Sequence, residues 1–116
     1  MKNRITKCIS NSIKVKKLIL TNQEIINNIE LIVTKSVKAF KDDRKMLLCG
    51  NGGSAADAQH IAAELSGKFY KDRKPLFAQA LHVNTSFLTA VANDYGYDSI
   101  YDRMVEASGR NGDIFI

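Results

Sequence analysis

His60 and Glu64 stand four residues apart in the run Ala55-Ala56-Asp57-Ala58-Gln59-His60-Ile61-Ala62-Ala63-Glu64. On a helix that spacing stacks an imidazole and a carboxylate on one face. Such a pair suits metal binding or proton transfer, and it also suits a plain exposed hydrogen bond. Just upstream, Gly50-Asn51-Gly52-Gly53-Ser54 follows the apolar run Met46-Leu47-Leu48-Cys49. Glycines let a backbone approach an anionic ligand, and a helix start offers N–H groups and the positive end of its dipole. An anion cradle and a reactive pair on one short element point to chemistry on a phosphorylated small molecule.

Other readings of the glycines fare worse. Gly50, Gly52 and Ala55 satisfy a dinucleotide fingerprint formally, but no carboxylate ends the second apolar run, Leu76–His82. A nucleoside-triphosphate loop needs Gly-Lys-Ser/Thr, which the chain lacks. A catalytic zinc usually takes three protein ligands; His60 and Glu64 supply two, and His82 is either a third or a structural residue. Asn93 and Asp94 read equally as ligand contacts or as turn chemistry. Tyr95, Tyr97 and Tyr101 read as packing or interface residues.

The elements that must position these groups follow from periodicity. Residues 3–20 predict a basic amphipathic helix with Ile5, Ile9 and Ile13 on its stripe. Thr21 and Glu24 have the capping-box spacing for a restart. Ile25, Ile29, Ile32, Ser36 and Phe40 then carry a second helix. A strand over Lys45–Cys49 leads through the glycine turn to a helix capped by Ser54, with Asp57 at the box offset, which frays near Gly67. Strand two is predicted at Leu76–His82. A helix capped by Asn84 or Thr85 should stop at Ala92, and another should run from Asp98 or Ser99 to about Gly109. Ile114-Phe115-Ile116 is a third apolar run. Short apolar strands alternating with helices predict an α/β parallel sheet, with ligands beyond the carboxyl ends of its strands. The organisation expected is N-terminal helices over 1–40, serving self-association, and a sheet domain over 41–116. Because the last apolar run has no helix after it, the sheet domain is expected to be partial, cut after the third strand.

The net charge is +5, with +7 carried by residues 1–50 and −2 by residues 51–116. No aromatics interleave with the front-half cations, so solvated helix faces are expected rather than a nucleic-acid surface. No stretch approaches the roughly 20 apolar residues of a membrane span. Cys8 and Cys49 have no metal or redox spacing. A cytoplasmic protein without membrane or nucleic-acid partners is the expectation.

Gly50-Asn51-Gly52-Gly53-Ser54, Asp57-Ala58-Gln59-His60-x-Ala62-Ala63-Glu64-Leu65 and Asn93-Asp94-Tyr95-Gly96 together resemble the phosphoheptose isomerases, which are sugar isomerase (SIS) domain proteins. The resemblance runs from about residue 20 to the end. It implies a flavodoxin-like three-layer parallel sheet and a homotetramer assembled through N-terminal helices. It also implies conversion of sedoheptulose 7-phosphate to D-glycero-D-manno-heptose 7-phosphate, toward the heptose of lipopolysaccharide or surface glycans. His60 and Glu64 would be ligands of one zinc ion per subunit, and Glu64 also the catalytic base. Asn51, Gly52, Gly53, Ser54, Glu64, Asn93 and Asp94 would contact substrate. The family's phosphate loop and its remaining metal ligands would lie beyond Ile116. Met1 to Ser12, with Arg4-Ile5-x-Lys7-Cys8, is similar to another SIS group, the non-enzymatic proteins that associate with the DnaA replication initiator. Those usually lack a carboxylate where Glu64 stands, so the isomerase reading is preferred.

Overall fold

The computed structural model describes all residues, Met1–Ile116. Two compact units make up the chain, Met1–Lys35 and Ser36–Ile116. In the first, helix α1 (Lys2–Thr21) is followed by the opening turns of α2 (Gln23–Lys41). None of α1 is buried, and Ile5, Ile9, Ile13, Ile25, Ile29 and Ile32 are all exposed. The restart is made differently from the capping box expected. Thr21 is still helical, so its hydroxyl donates back to the Leu18 carbonyl (3.1 Å), the habit of Thr at a helix end. Asn22, in extended backbone, separates the helices, and its side-chain oxygen accepts from Ile25 N at 3.1 Å. Asn22 is therefore the cap.

The second unit carries strand β1 (Met46–Leu48), helix α3 (Gly53–Ser66), β2 (Ala78–Ala80), α4 (Thr85–Tyr95), α5 (Ile100–Ser108) and β3 (Ile114–Phe115). All pairing is parallel, in the order β2-β1-β3, with Met46 opposite Ala78 and Ile114. The strands are shorter than the apolar runs, although ladder bonds continue past them, as in Cys49 N to Ile116 O at 2.8 Å. After β2 the chain tightens into a single 3₁₀ turn, Leu81–Val83, because Asn84 must cap α4; its side chain accepts from Phe87 N at 3.1 Å. Helix α4 continues through Asn93 and Asp94 instead of stopping before them. Asn93 donates to the neighbouring carboxylate of Asp94 (2.9 Å), which keeps its amide from competing with the backbone. The stop comes at Gly96, whose φ of +90° suits glycine.

Alternation along β1 creates the layers. Met46 and Leu48 pack with Ala58 and Ala62 of α3 and with Ala78 and Ala80 of β2. Leu47, between them, points the other way, onto Leu81 and Met104, with Phe87, Tyr101 and Val105 alongside. Helices thus cover both faces of a parallel sheet, as expected from the order of elements. Burying a side chain such as Leu47, which is 1% exposed, contributes about 1.5–3 kcal/mol. No helix is long and apolar enough to cross a membrane.

Candidate functional site

The site starts where β1 ends. Gly50 leaves the strand so close to the first turn of α3 that a Cβ there would sit 2.6 Å from the Ser54 backbone. Gly52 precedes the helix with φ +58°, a conformation side chains rarely adopt, and is the cap position. Ser54 was expected there. It lies inside the first turn instead, its N–H on the Asn51 carbonyl (3.1 Å), and the residue is exposed beside the turn. Gly50→Ala should cost about 2 kcal/mol, because the contact is with backbone and the turn must move. Gly53→Ala, where a Cβ meets nothing within 4 Å, should be neutral or stabilise by up to about 1 kcal/mol. Parallel denaturant titrations of the two variants check this contrast.

Two tyrosines hold the turn from the far side of the sheet. Tyr101, on α5, donates its phenol to the Gly50 carbonyl at 2.7 Å. Tyr97, in the 3₁₀ turn before α5, donates to Asn51 Oδ1 at 2.6 Å. Burial pushes the Tyr101 phenol above its ordinary pKa, so it remains a donor at neutral pH. Sequence alone marks these residues as packing or interface groups, and the structure makes both of them donors to the turn. Their four-residue spacing was the available signal, but nothing local ties either of them to residues about fifty positions earlier. Asn93 and Asp94 lie exposed at the end of α4, and Tyr97 makes the connection from that segment to the turn.

One turn and more into α3 come His60 and Glu64. His60 Nε2 is 3.7 Å from Glu64 Oε1, too far for a hydrogen bond, with the imidazole largely exposed and the carboxylate about two-thirds covered. Glu64 Oε2 is buried without a hydrogen-bond partner. An imidazole nitrogen with a carboxylate oxygen, Oε1, beside it is the donor chemistry zinc takes, and 3.7 Å lies within the span of two ligands each about 2 Å from one ion. The pair therefore fits half of a zinc ligand set. No group of three or more His, Cys, Asp and Glu side chains gathers in the chain. His82 is not a third member. It is buried after β2 with Nε2 3.0 Å from Gln59 Nε2. Burial also raises the Cys49 pKa, keeping that thiol protonated and a poor ligand.

A family profile for the SIS domain matches residues 10–116. The chain belongs to the SIS domain family. This SIS chain is 53% identical over 116 residues to the phosphoheptose isomerase of Clostridium acetobutylicum, covering 100% of its own length and 59% of that protein's. It is 47% identical to the phosphoheptose isomerase of Aneurinibacillus thermoaerophilus, again over all of its length and 59% of the relative. The solved phosphoheptose isomerase of Neisseria gonorrhoeae superposes with a TM-score of 0.89 at 38% identity, over 98% of this chain and 58% of the other. That of Francisella tularensis gives 0.90 at 32%, over 97% and 58%. The chain therefore spans about 59% of the length of the curated relatives it matches.

Proposed function

We propose that the complete gene product is an aldose–ketose isomerase that converts sedoheptulose 7-phosphate to D-glycero-D-manno-heptose 7-phosphate. The observation that carries this reading is the free carboxylate oxygen of Glu64, on the helix that leaves the glycine turn. The reaction takes a proton from the carbon next to a ketone and returns it to the former carbonyl carbon through an enediol, while the hydroxyl proton of the first carbon passes by way of an acid partner to the former ketone oxygen. Glu64 is the base in both directions. Asn51, Gly52, Gly53 and Ser54 hold substrate oxygens at the positive end of α3, and Asn93 and Asp94 supply further polar contacts. Tyr97 and Tyr101 keep the turn in place while this happens. His60 and Glu64 would hold a zinc ion together with donors from outside these residues. Such an ion supplies an electrophile for the substrate's oxygens.

The setting proposed is cytoplasmic, toward a heptose used in surface glycans. Self-association through residues 1–40, as a homotetramer, would cover the apolar stripes that α1 and α2 leave exposed. The direct test is formation of heptose 7-phosphate by the purified product. An inactive product that binds the DnaA initiator would assign the protein to the regulatory branch of the family. Light scattering should report a tetramer at micromolar concentration, and a clean monomer would refute the assembly.

A further inference from the structure

The last four carbonyls of a helix lack intrahelical partners, and in α3 those of Ala63, Glu64 and Leu65 find them in the chain that follows. Ala62 O accepts from Ser66 Oγ at 2.7 Å, and Ala63 O from Gly67 N at 2.8 Å. Glu64 O accepts from Arg73 Nη2 at 3.0 Å, and Leu65 O from Arg73 Nη1 at 2.8 Å. Leu76 N adds a second bond to Leu65 O at 3.1 Å, and Arg73 Nη1 also reaches the Lys74 carbonyl at 3.0 Å. A cation at the negative end of the helix dipole gains further. Arg73 therefore spans two consecutive carbonyls with one planar fork, and one of them belongs to Glu64 itself.

The carboxylate of Glu64 has no such anchor. One oxygen is unpartnered and the other is 3.7 Å from His60. Its aim is then set by the Glu64 backbone, near the end of a helix whose final turn would fray without a cap. We infer that Arg73 is a positioning residue for Glu64, acting through the main chain and not on substrate. This rests on Glu64 being the base of the proposed reaction. A reacting group displaced by about 1 Å costs on the order of 10²-fold in rate, so loosening this turn reaches the chemistry before it reaches the fold.

The test uses the complete gene product with Arg73→Lys and Arg73→Ala, comparing kcat, KM and melting temperature. Lysine keeps the charge but loses the fork. The expected result is a fall in kcat of about 10–100-fold in Arg73→Lys with KM changed less than twofold. Added guanidinium ion should restore part of the kcat of Arg73→Ala at concentrations that leave the native protein unaffected. Should Arg73→Ala fail to fold, Arg73→Lys carries the test alone. An unchanged kcat in folded Arg73→Lys, or kcat and KM altered in the same proportion, overturns the inference. Glu64→Gln assayed alongside separates the two layers. If it is inactive while Arg73→Lys is normal, only the positioning role falls; if it is fully active, the base assignment falls first.

Discussion

Glu64→Gln in the complete gene product should lower kcat by at least 10²–10⁴-fold, the usual worth of a general base. Glutamine preserves shape and volume but cannot take a proton, and it is a weaker metal donor than a carboxylate. Both proposed roles of Glu64 are therefore removed at once, and the loss should reach the upper end of that range or exceed it. The binding turn is untouched, since Gly50–Ser54 is held by Tyr97 and Tyr101. KM should accordingly move far less than kcat. His60→Ala should show the complementary pattern, lowering zinc content more than substrate affinity. Turnover of sedoheptulose 7-phosphate and bound-metal analysis on the same preparations provide the check. Full activity in both variants would make the pair structural.

Asp113→Ala should destabilise the second unit by about 2 kcal/mol, within the range for leaving part-buried donors without their acceptor. Asp113 is 7% exposed and meets the Lys45 ammonium at 2.5 Å, while Lys45 is itself only 15% exposed. Its carboxylate also accepts from Lys45 N (3.1 Å) and Arg110 N (2.7 Å). Alanine would strand a largely buried ammonium and two backbone donors, and would loosen β3 from β1. Burial pushes this carboxyl's pKa up, but the hydrogen bonds from Lys45 and Arg110 and the Lys45 charge outweigh it. The net result lies below the ordinary 3.8. The sign of the pH dependence follows. The unfolded chain binds this proton more readily, so the contribution is full above the unfolded pKa and disappears as pH falls through the lower folded value. Denaturant melts of native and variant protein should differ most at neutral pH and converge in strong acid. A constant gap between them would show that the ion pair is not the source.

How legible all this was depended on sequence distance. Strand β1 and helix α3 could be read directly, because an apolar run, a glycine turn and an alanine-rich segment adjoin one another. The His60/Glu64 spacing needed only helical geometry. Element ends were less visible. Thr21 and Ser54 have cap chemistry, yet Asn22 and Gly52 take the cap positions, since backbone conformation selects the cap and several neighbours had suitable side chains. Asn93 and Asp94 resembled a breaker until their mutual hydrogen bond satisfied them inside α4. The supports of the site were hidden for a different reason. Tyr101 to Gly50, Tyr97 to Asn51 and Lys45 to Asp113 each join residues about fifty or more positions apart. No periodicity encodes such contacts; they exist only once the sheet has ordered its strands. The fork of Arg73 is nearer in sequence, but it required knowing that the loop returns to the end of α3.

The two phenols that hold the glycine turn also give the chain its own optical probe. It contains no tryptophan and four tyrosines, so with excitation beyond the phenylalanine band its ultraviolet emission comes from phenols. Two of the four are bonded to the candidate binding turn, while Tyr70 is almost fully exposed. A sugar phosphate entering the turn would alter the surroundings of Tyr97 and Tyr101 and leave Tyr70 as an internal reference. Near-ultraviolet dichroism, with Tyr97→Phe and Tyr101→Phe to assign the bands, would then follow occupancy of the site without any attached label.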